Sequence, residues 1–357
     1  MPSRRHHSKT TTGCTSCKMR HVKCDETRPI CKSCIRRRTE CVYTTDKVIS
    51  HKLSPASESP SNGVKPPTAT ADADSFDWLD LELMHRWTID TSQSLFPAPS
   101  AQKFWQKDVP VLAQTHHILR HAILAVAASD LACNALSASS GGSSPDPNAT
   151  AVAAKYRTRG LHHQQAILPL FQDLLQNQNT TEEKNIAFLV SIFLVILAFS
   201  SVQATDLRPT LSDLMDVFAL FRGPKALWDV NRDRGNELLM ETLFPGSRGT
   251  FREVFARTDI SDPPWPELGS LPLDEVCTDV VLKLKQSFWA SQHQPGDVRA
   301  LGYFPALVPE EFCTQARERR PHAILILEHY AEVLKMYRER WWVGPWHSVL
   351  LAALEIR

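Results

Sequence analysis

No stretch of the sequence stays apolar for the roughly twenty residues that a membrane-spanning helix needs. The longest apolar run, Ile186 to Phe199, is interrupted at Ser191 and covers fourteen residues. It reads as a central buried helix, and no membrane span is expected. The start, Met1 to Lys9, is polar and basic and lacks the apolar core of a secretory signal. Signatures of catalysis are missing too. There is no glycine-rich phosphate loop and no H-E-x-x-H, and Gly246-Ser247-Arg248-Gly249 lacks the spacing of a nucleophile elbow. His117 and His121 stand four apart, but no third ligand is near them in the sequence, so they read as core or helix-surface histidines. His162 and His163 are adjacent and face different sides of a helix. No catalytic residue is assigned, and the chain is read as a non-enzyme.

Net charge is nearly absent, at +1 over 357 residues, and this hides an asymmetry. Through Tyr43 there are eleven Lys/Arg against three Asp/Glu, a balance of +8; the remainder has twenty-nine against thirty-six, a balance of −7. A basic head on an acidic body suits nucleic-acid contact carried by the head.

Six of the nine cysteines fall between positions 14 and 41. They read C-x2-C-x6-C-x6-C-x2-C-x6-C: Cys14, Cys17, Cys24, Cys31, Cys34 and Cys41, the last three repeating the first three seventeen residues later. A disulfide knot needs an oxidising compartment, which the missing signal leaves unsupported, so metal is preferred. Six thiolates are two short of the eight that separate tetrahedral zinc sites require. Two zinc ions each reach four sulfurs if two thiolates bridge, and symmetry makes the bridging pair equivalent cysteines, Cys14 and Cys31. Sites closed by four thiolates are structural rather than catalytic. Six thiolates and two zinc ions lower the head's balance to +6, still positive. Lys18, Arg20, His21, Lys23, Lys32 and the Arg36-Arg37-Arg38 run fill the spaces between ligands. A metal-stapled basic unit with few large apolar residues points to nucleic acid.

Residues Gly13-Cys14, Cys17-Lys18, Arg20-His21-Val22-Lys23-Cys24-Asp25-Glu26, Pro29 before Cys31 and Cys41-Val42-Tyr43 carry a resemblance to the fungal six-cysteine binuclear zinc cluster of transcription factors. The resemblance implies that Arg20 and His21, at the end of the first helix, read bases in the major groove. Arginine forks onto guanine O6 and N7, whereas a histidine donates a single bond. Lys18, Lys23, Arg36, Arg37 and Arg38 are read as phosphate contacts that set register. It also implies a nuclear protein, here expected to activate transcription through the transcription machinery; Arg4, Arg5 and the Arg36 to Arg38 run suit nuclear import.

Four segments are expected: a disordered basic arm (1–13), the zinc cluster (14–43), a flexible Ser/Thr/Pro-rich linker (44–75) and an all-α regulatory domain (76–357). No heptad follows the cluster, so either the protein binds as a monomer or the helical body forms a homodimer. Helical periodicity begins at Phe76 and recurs over Leu112–Leu136, Ala151–Leu175, Glu182–Val202, Leu207–Trp228, Leu273–Trp289, Pro309–Arg319 and Pro321–Arg340. Leu79 to His85, Phe104-Trp105-Gln106, His121 to Ala128, Pro321 to Leu325 and Trp341-Trp342-Val343-Gly344-Pro345-Trp346 resemble the regulatory region of the sterol uptake control branch. That resemblance implies a ligand-responsive module with an apolar pocket, whose ligand and lining residues stay unassigned. The regulated pathway would be secondary-metabolite or sterol biosynthesis. Trp341, Trp342 and Trp346 are read as a core anchor closing the domain, ahead of a pocket wall. The rival reading is a lipid- or sterol-binding helical scaffold in which the zinc cluster is secondary.

Overall fold

The computed structural model describes residues 13–20, 22–27, 30–37, 39, 41, 78–96, 98–139, 146–202, 209–231, 239, 242–243, 260, 265–270 and 273–355. Arg4, Arg5, His21, Pro29, Arg38, the segment 44–75 and Gly246 to Gly249 lie outside them. The chain divides into two compact units, Met1–Thr70 and Ala71–Arg357. Among the described residues every regular element is a helix.

The first unit holds α1 (Thr15–Met19) and α2 (Lys32–Arg37). Its buried core is Cys14, Cys17, Cys24, Cys31 and Cys34, with Cys41 packed against them. Met19, Val22, Ile30 and Ile35 are all exposed. Among the described residues of this unit no aliphatic core forms, so the sulfur centre has to hold them together.

The second unit begins with α3 (Trp78–Arg86), runs through a π-helical turn (Trp87–Thr91) into α4 (Ser92–Leu95), then α5 (Pro99–Lys103), a second π turn (Phe104–Asp108) and α6 (Val109–Thr115). There follow α7 (His117–Ser139), α8 (Pro147–Asn177), α9 (Thr181–Val202), α10 (Leu211–Ala219) and α11 (Arg222–Asn231). The last group is α12 (Pro266–Ser270), α13 (Glu275–His293), α14 (Val298–Leu307), α15 (Glu310–Arg317), α16 (Pro321–Lys335) and α17 (Trp346–Glu355). Local chemistry sets many starts. Asp146 caps α8, with Pro147 in its first turn, and Thr210 with Asp213 forms a capping box at α10. Asp274 and Asp297 cap α13 and α14.

Several expected helices differ. The Leu112–Leu136 helix is two, broken where His116 turns extended at φ −112°, ψ 97°. The Leu207–Trp228 helix divides at Leu220 and Phe221 between α10 and α11. Pro321–Arg340 ends as a helix at Lys335 and continues as turns. Helices α4, α5, α12, α14 and α17 were not among the expected ones.

Helix α9 is the centre of this unit. Phe193 makes edge contacts with Trp87 and Trp105 from the two π turns, while Phe199 stacks on Trp346 at 4.2 Å and meets Trp342 and Phe221 edge-on. One helix thereby touches both the opening and the closing segments. The fourteen-residue run lies within a 22-residue helix whose most apolar eighteen residues have a mean hydropathy of 2.4, long enough to cross a membrane, as is His117–Ser137. Length alone therefore does not exclude a span. Burial accounts for the apolarity instead: 67% of the α9 window and 72% of the other are covered by the rest of the protein. Helices α7 and α8 pack at close range where Gly160 faces Ala128. A Cβ built on Gly160 would stand 3.2 Å from that of Ala128.

Candidate zinc centre and nucleic-acid interface

The six sulfurs gather into two groups of four, Cys14, Cys17, Cys24 and Cys31, and Cys14, Cys31, Cys34 and Cys41, each within 4.8 Å. The groups share Cys14 and Cys31. The Sγ atoms of Cys14 and Cys31 lie 3.8 Å apart, and those of the Cys14–Cys34 and Cys17–Cys31 pairs 3.7 Å. A disulfide requires about 2.05 Å, and every cysteine is a free thiol. The edge of a zinc tetrahedron with bonds near 2.3 Å is about 3.8 Å. The sulfur set therefore fits two zinc ions in shape and donor type.

The seventeen-residue repeat reappears in the backbone. Cys17 N–H donates to Cys14 Sγ at 3.4 Å, and Cys34 N–H to Cys31 Sγ at 3.4 Å. Cys14 N–H meets Cys24 Sγ at 3.5 Å, and Cys31 N–H meets Cys41 Sγ at 3.3 Å. Val22 N–H reaches Cys17 O, and Thr39 N–H reaches Cys34 O. Each shared sulfur sits at the start of a short helix, where free N–H groups and the helix dipole favour negative charge. Glu26, at φ 57°, directs its own N–H to Cys24 Sγ at 3.4 Å.

Asp25 and Arg20, neither of them a cysteine, help tie the halves together. Asp25 in the first half accepts from the Lys32 N–H at 3.0 Å, at the start of α2, and from the Thr27 hydroxyl at 2.7 Å. The Thr27 bond and the Lys32 N–H hold its carboxyl below the usual range. No local spacing announces this cap, because it bridges seven residues. Arg20 donates from Nε to Ser16 O at 3.0 Å and from a terminal nitrogen to Cys34 Sγ at 3.5 Å. Its guanidinium therefore rests on the sulfur centre. Lys18, Lys23, Arg36 and Arg37 are exposed. His21 and Arg38 belong to the residues not described.

In the second unit the histidines fall into a buried polar chain. Asp80 accepts a fork from Arg159 at 2.6 and 2.5 Å and one bond from His163 Nε2 at 3.1 Å. His163 Nδ1 meets His121 Nδ1 at 3.0 Å. Because the carboxylate only accepts, His163 carries its proton on Nε2 when neutral, and His121 donates from Nδ1. Burial pushes His163 down to about 4 against the opposing pull of Asp80. His121 is thus a satisfied core histidine, and His162, beside His163, faces solvent. A second buried carboxylate, Asp130, accepts from Arg86 at 2.8 Å and Thr91 at 2.6 Å, anchoring the first π turn. The tryptophans behave as core anchors. Trp346 is fully buried, Trp342 is nearly so, and Trp341 donates to the Ser94 hydroxyl at 2.9 Å.

Residues 12–48 match the Fungal Zn(2)-Cys(6) binuclear cluster domain, and residues 82–244 match the Fungal specific transcription factor domain. The chain thus carries a fungal binuclear zinc cluster domain followed by a fungal transcription factor domain. The Zn(2)-C6 fungal-type transcription factor afumD of Aspergillus fumigatus is 33% identical over 34% of this chain and 32% of its own. A Zn(2)-C6 fungal-type transcription factor of Gibberella zeae is 29% identical over 36% of this chain and 37% of its own. Sterol uptake control protein 2 of Candida albicans is 35% identical over 27% and 13%, respectively. The matches thus span about a third of the first two relatives' length, and less of the third's. The cluster domain binds two zinc ions, and the paired sulfur groups are built for that number.

Proposed function

We propose that the protein is a nuclear regulator of transcription that binds double-stranded DNA sequence-specifically through its zinc cluster. Cys14, Cys17, Cys24, Cys31, Cys34 and Cys41 hold the two zinc ions, with Cys14 and Cys31 shared between them. The observation that carries the reading is the pair of closed four-sulfur groups, built from five buried cysteines and the half-buried Cys41 and surrounded by exposed cations. Four thiolates around each ion leave no open position for a substrate, which suits a structural rather than a catalytic metal. What the zinc supplies is the fold of the unit. Lys18, Lys23, Arg36 and Arg37 are free to meet phosphates, which position the unit on the duplex, while base edges confer sequence preference.

The helical unit is the regulatory part, acting through a small apolar ligand, the transcription machinery or self-association into a homodimer. Selection of sites from random duplex DNA with the zinc-loaded full chain tests the reading. A single enriched element supports a monomeric reader, and two half-sites at fixed spacing support dimerisation through the helical unit. No enrichment with zinc confirmed bound overturns the DNA-binding reading.

A further inference from the structure

We infer that Arg20 is a positioning residue of the zinc centre, a clamp that holds the Cys34 thiolate from the opposite half of the cluster, and that it does not read a base. The inference rests on the two-zinc reading of the six cysteines.

Arg20 is fixed at two points. Nε–H donates to Ser16 O one turn back in α1, and a terminal N–H donates to Cys34 Sγ in α2. The first bond holds the fork; the second spends it. To reach a base, Arg20 would have to release both partners and leave a thiolate without its cation. The seventeen-residue repeat supplies an internal comparison. Arg37 occupies the equivalent place in the second half and is exposed, whereas Arg20 is half-buried.

Charge favours an unshared sulfur over a shared one as the partner of Arg20. Six thiolates and two divalent ions leave the centre formally at −2. Cys14 and Cys31 belong to both sulfur groups, but Cys34 belongs to only one and keeps more of its charge. A guanidinium N–H bonded to a thiolate is a charge-assisted hydrogen bond across the junction of the two halves. Partners of this kind around a metal's ligands set ligand orientation and metal retention. Base reading then passes to the neighbours of Arg20 on the same turn, while Arg20 keeps those neighbours in place.

The test compares Arg20→Ala, Arg20→Lys and Lys18→Ala in the full chain. Zinc transfer to a chelating dye is followed for each, together with affinity for a panel of duplexes differing by one base pair. Arg20→Ala is expected to weaken zinc retention by ~10–100-fold at one of the two ions, as loss of a ligand-supporting partner does elsewhere. Its DNA affinity falls by the same factor on every duplex. Arg20→Lys, which keeps the charge but not the fork, gives an intermediate rate. Lys18→Ala releases zinc at the wild-type rate. Unchanged zinc release in Arg20→Ala, with discrimination lost at a single base pair, would overturn the clamp and make Arg20 a reader. The dye measurement needs no DNA, so it judges the clamp even if the chain proves not to bind duplexes.

Discussion

Removing one of the shared sulfurs should damage both zinc sites, and removing an unshared one should damage a single site. Cys14 belongs to both four-sulfur groups and Cys17 only to the first. A structural zinc site of this kind stabilises its fold by roughly 10–16 kcal/mol, so one thiolate of four accounts for about 3–4 kcal/mol. At 1.4 kcal/mol per tenfold, that is a weakening of roughly a hundred- to a thousand-fold per site affected. Cys14→Ala should therefore lose retention of both ions by this factor, and Cys17→Ala of one. Cys14 also accepts the Cys17 N–H at the start of α1, and its loss confounds the alanine variant. Cys14→Ser keeps an N-cap oxygen there, which separates the metal effect from the cap. Zinc per chain, measured under increasing chelator, would show two ions leaving together in Cys14→Ser and Cys31→Ser, and in two steps in Cys17→Ala and Cys24→Ala. Burial raises the Cys14 and Cys17 thiols, the latter to about 11. Metal must displace protons from them, so retention should fall as pH falls. Identical loss in all six single variants would refute the sharing of Cys14 and Cys31.

Trp346 should prove the costliest tryptophan of the closing group. It is fully buried against Phe199, and its Nε1–H donates at 2.9 Å to Phe199 O, in the last turn of α9, where carbonyls have no helical partner. Trp346→Ala should cost about 3–5 kcal/mol and Trp346→Phe about 1–3 kcal/mol, read from urea midpoints of the full chain. A cost near zero for Trp346→Phe would mean the hydrogen bond contributes nothing. The buried His163 should make stability pH-dependent. Its folded pKa, about 4, lies below the ordinary 6.5, so the unfolded chain takes up a proton first. The stability it protects is whole above pH 6.5 and lost progressively down to pH 4, reaching about 2 kcal/mol by pH 5. His163→Gln should flatten the urea midpoint between pH 7 and pH 5, and an unchanged slope would exonerate His163. Gly160→Ala should weaken the α7–α8 contact, because its methyl would meet Ala128 at 3.2 Å; an unchanged melting temperature would show that the two helices can part.

Chemistry encoded at short range was legible along the chain. The cysteine spacing repeats every seventeen residues, and the backbone bonds around the sulfurs repeat with it. The longer amphipathic helices showed in their periodicity, and their caps are side chains next to the helices they start. The short helices did not show, since a five-residue element has no period to detect. The break at His116 has no proline or glycine to announce it. The histidines illustrate the limit. His117 and His121 attracted attention because they stand four apart, yet His121 bonds to His163 on another helix, and that pair is anchored by Asp80 on a third. Membrane-like apolarity in α9 was equally ambiguous, since a core helix and a spanning helix have the same composition.

The number of zinc ions follows from thiolate count and tetrahedral coordination, quantities that hold wherever the rest of the chain goes. So do the basic charge of the first 43 residues and the helical bias of the remainder. Three-dimensional contacts governed the rest. They brought Asp25 to the start of α2, laid the guanidinium of Arg20 on the Cys34 sulfur, and surrounded α9 with the aromatic rings that make it a core helix. The physical reason is range. Ligand spacing, capping and periodicity act over a few residues of one chain segment. Burial and cross-element hydrogen bonds join residues up to 247 positions apart, as Trp341 joins Ser94, and sequence spacing carries no record of them.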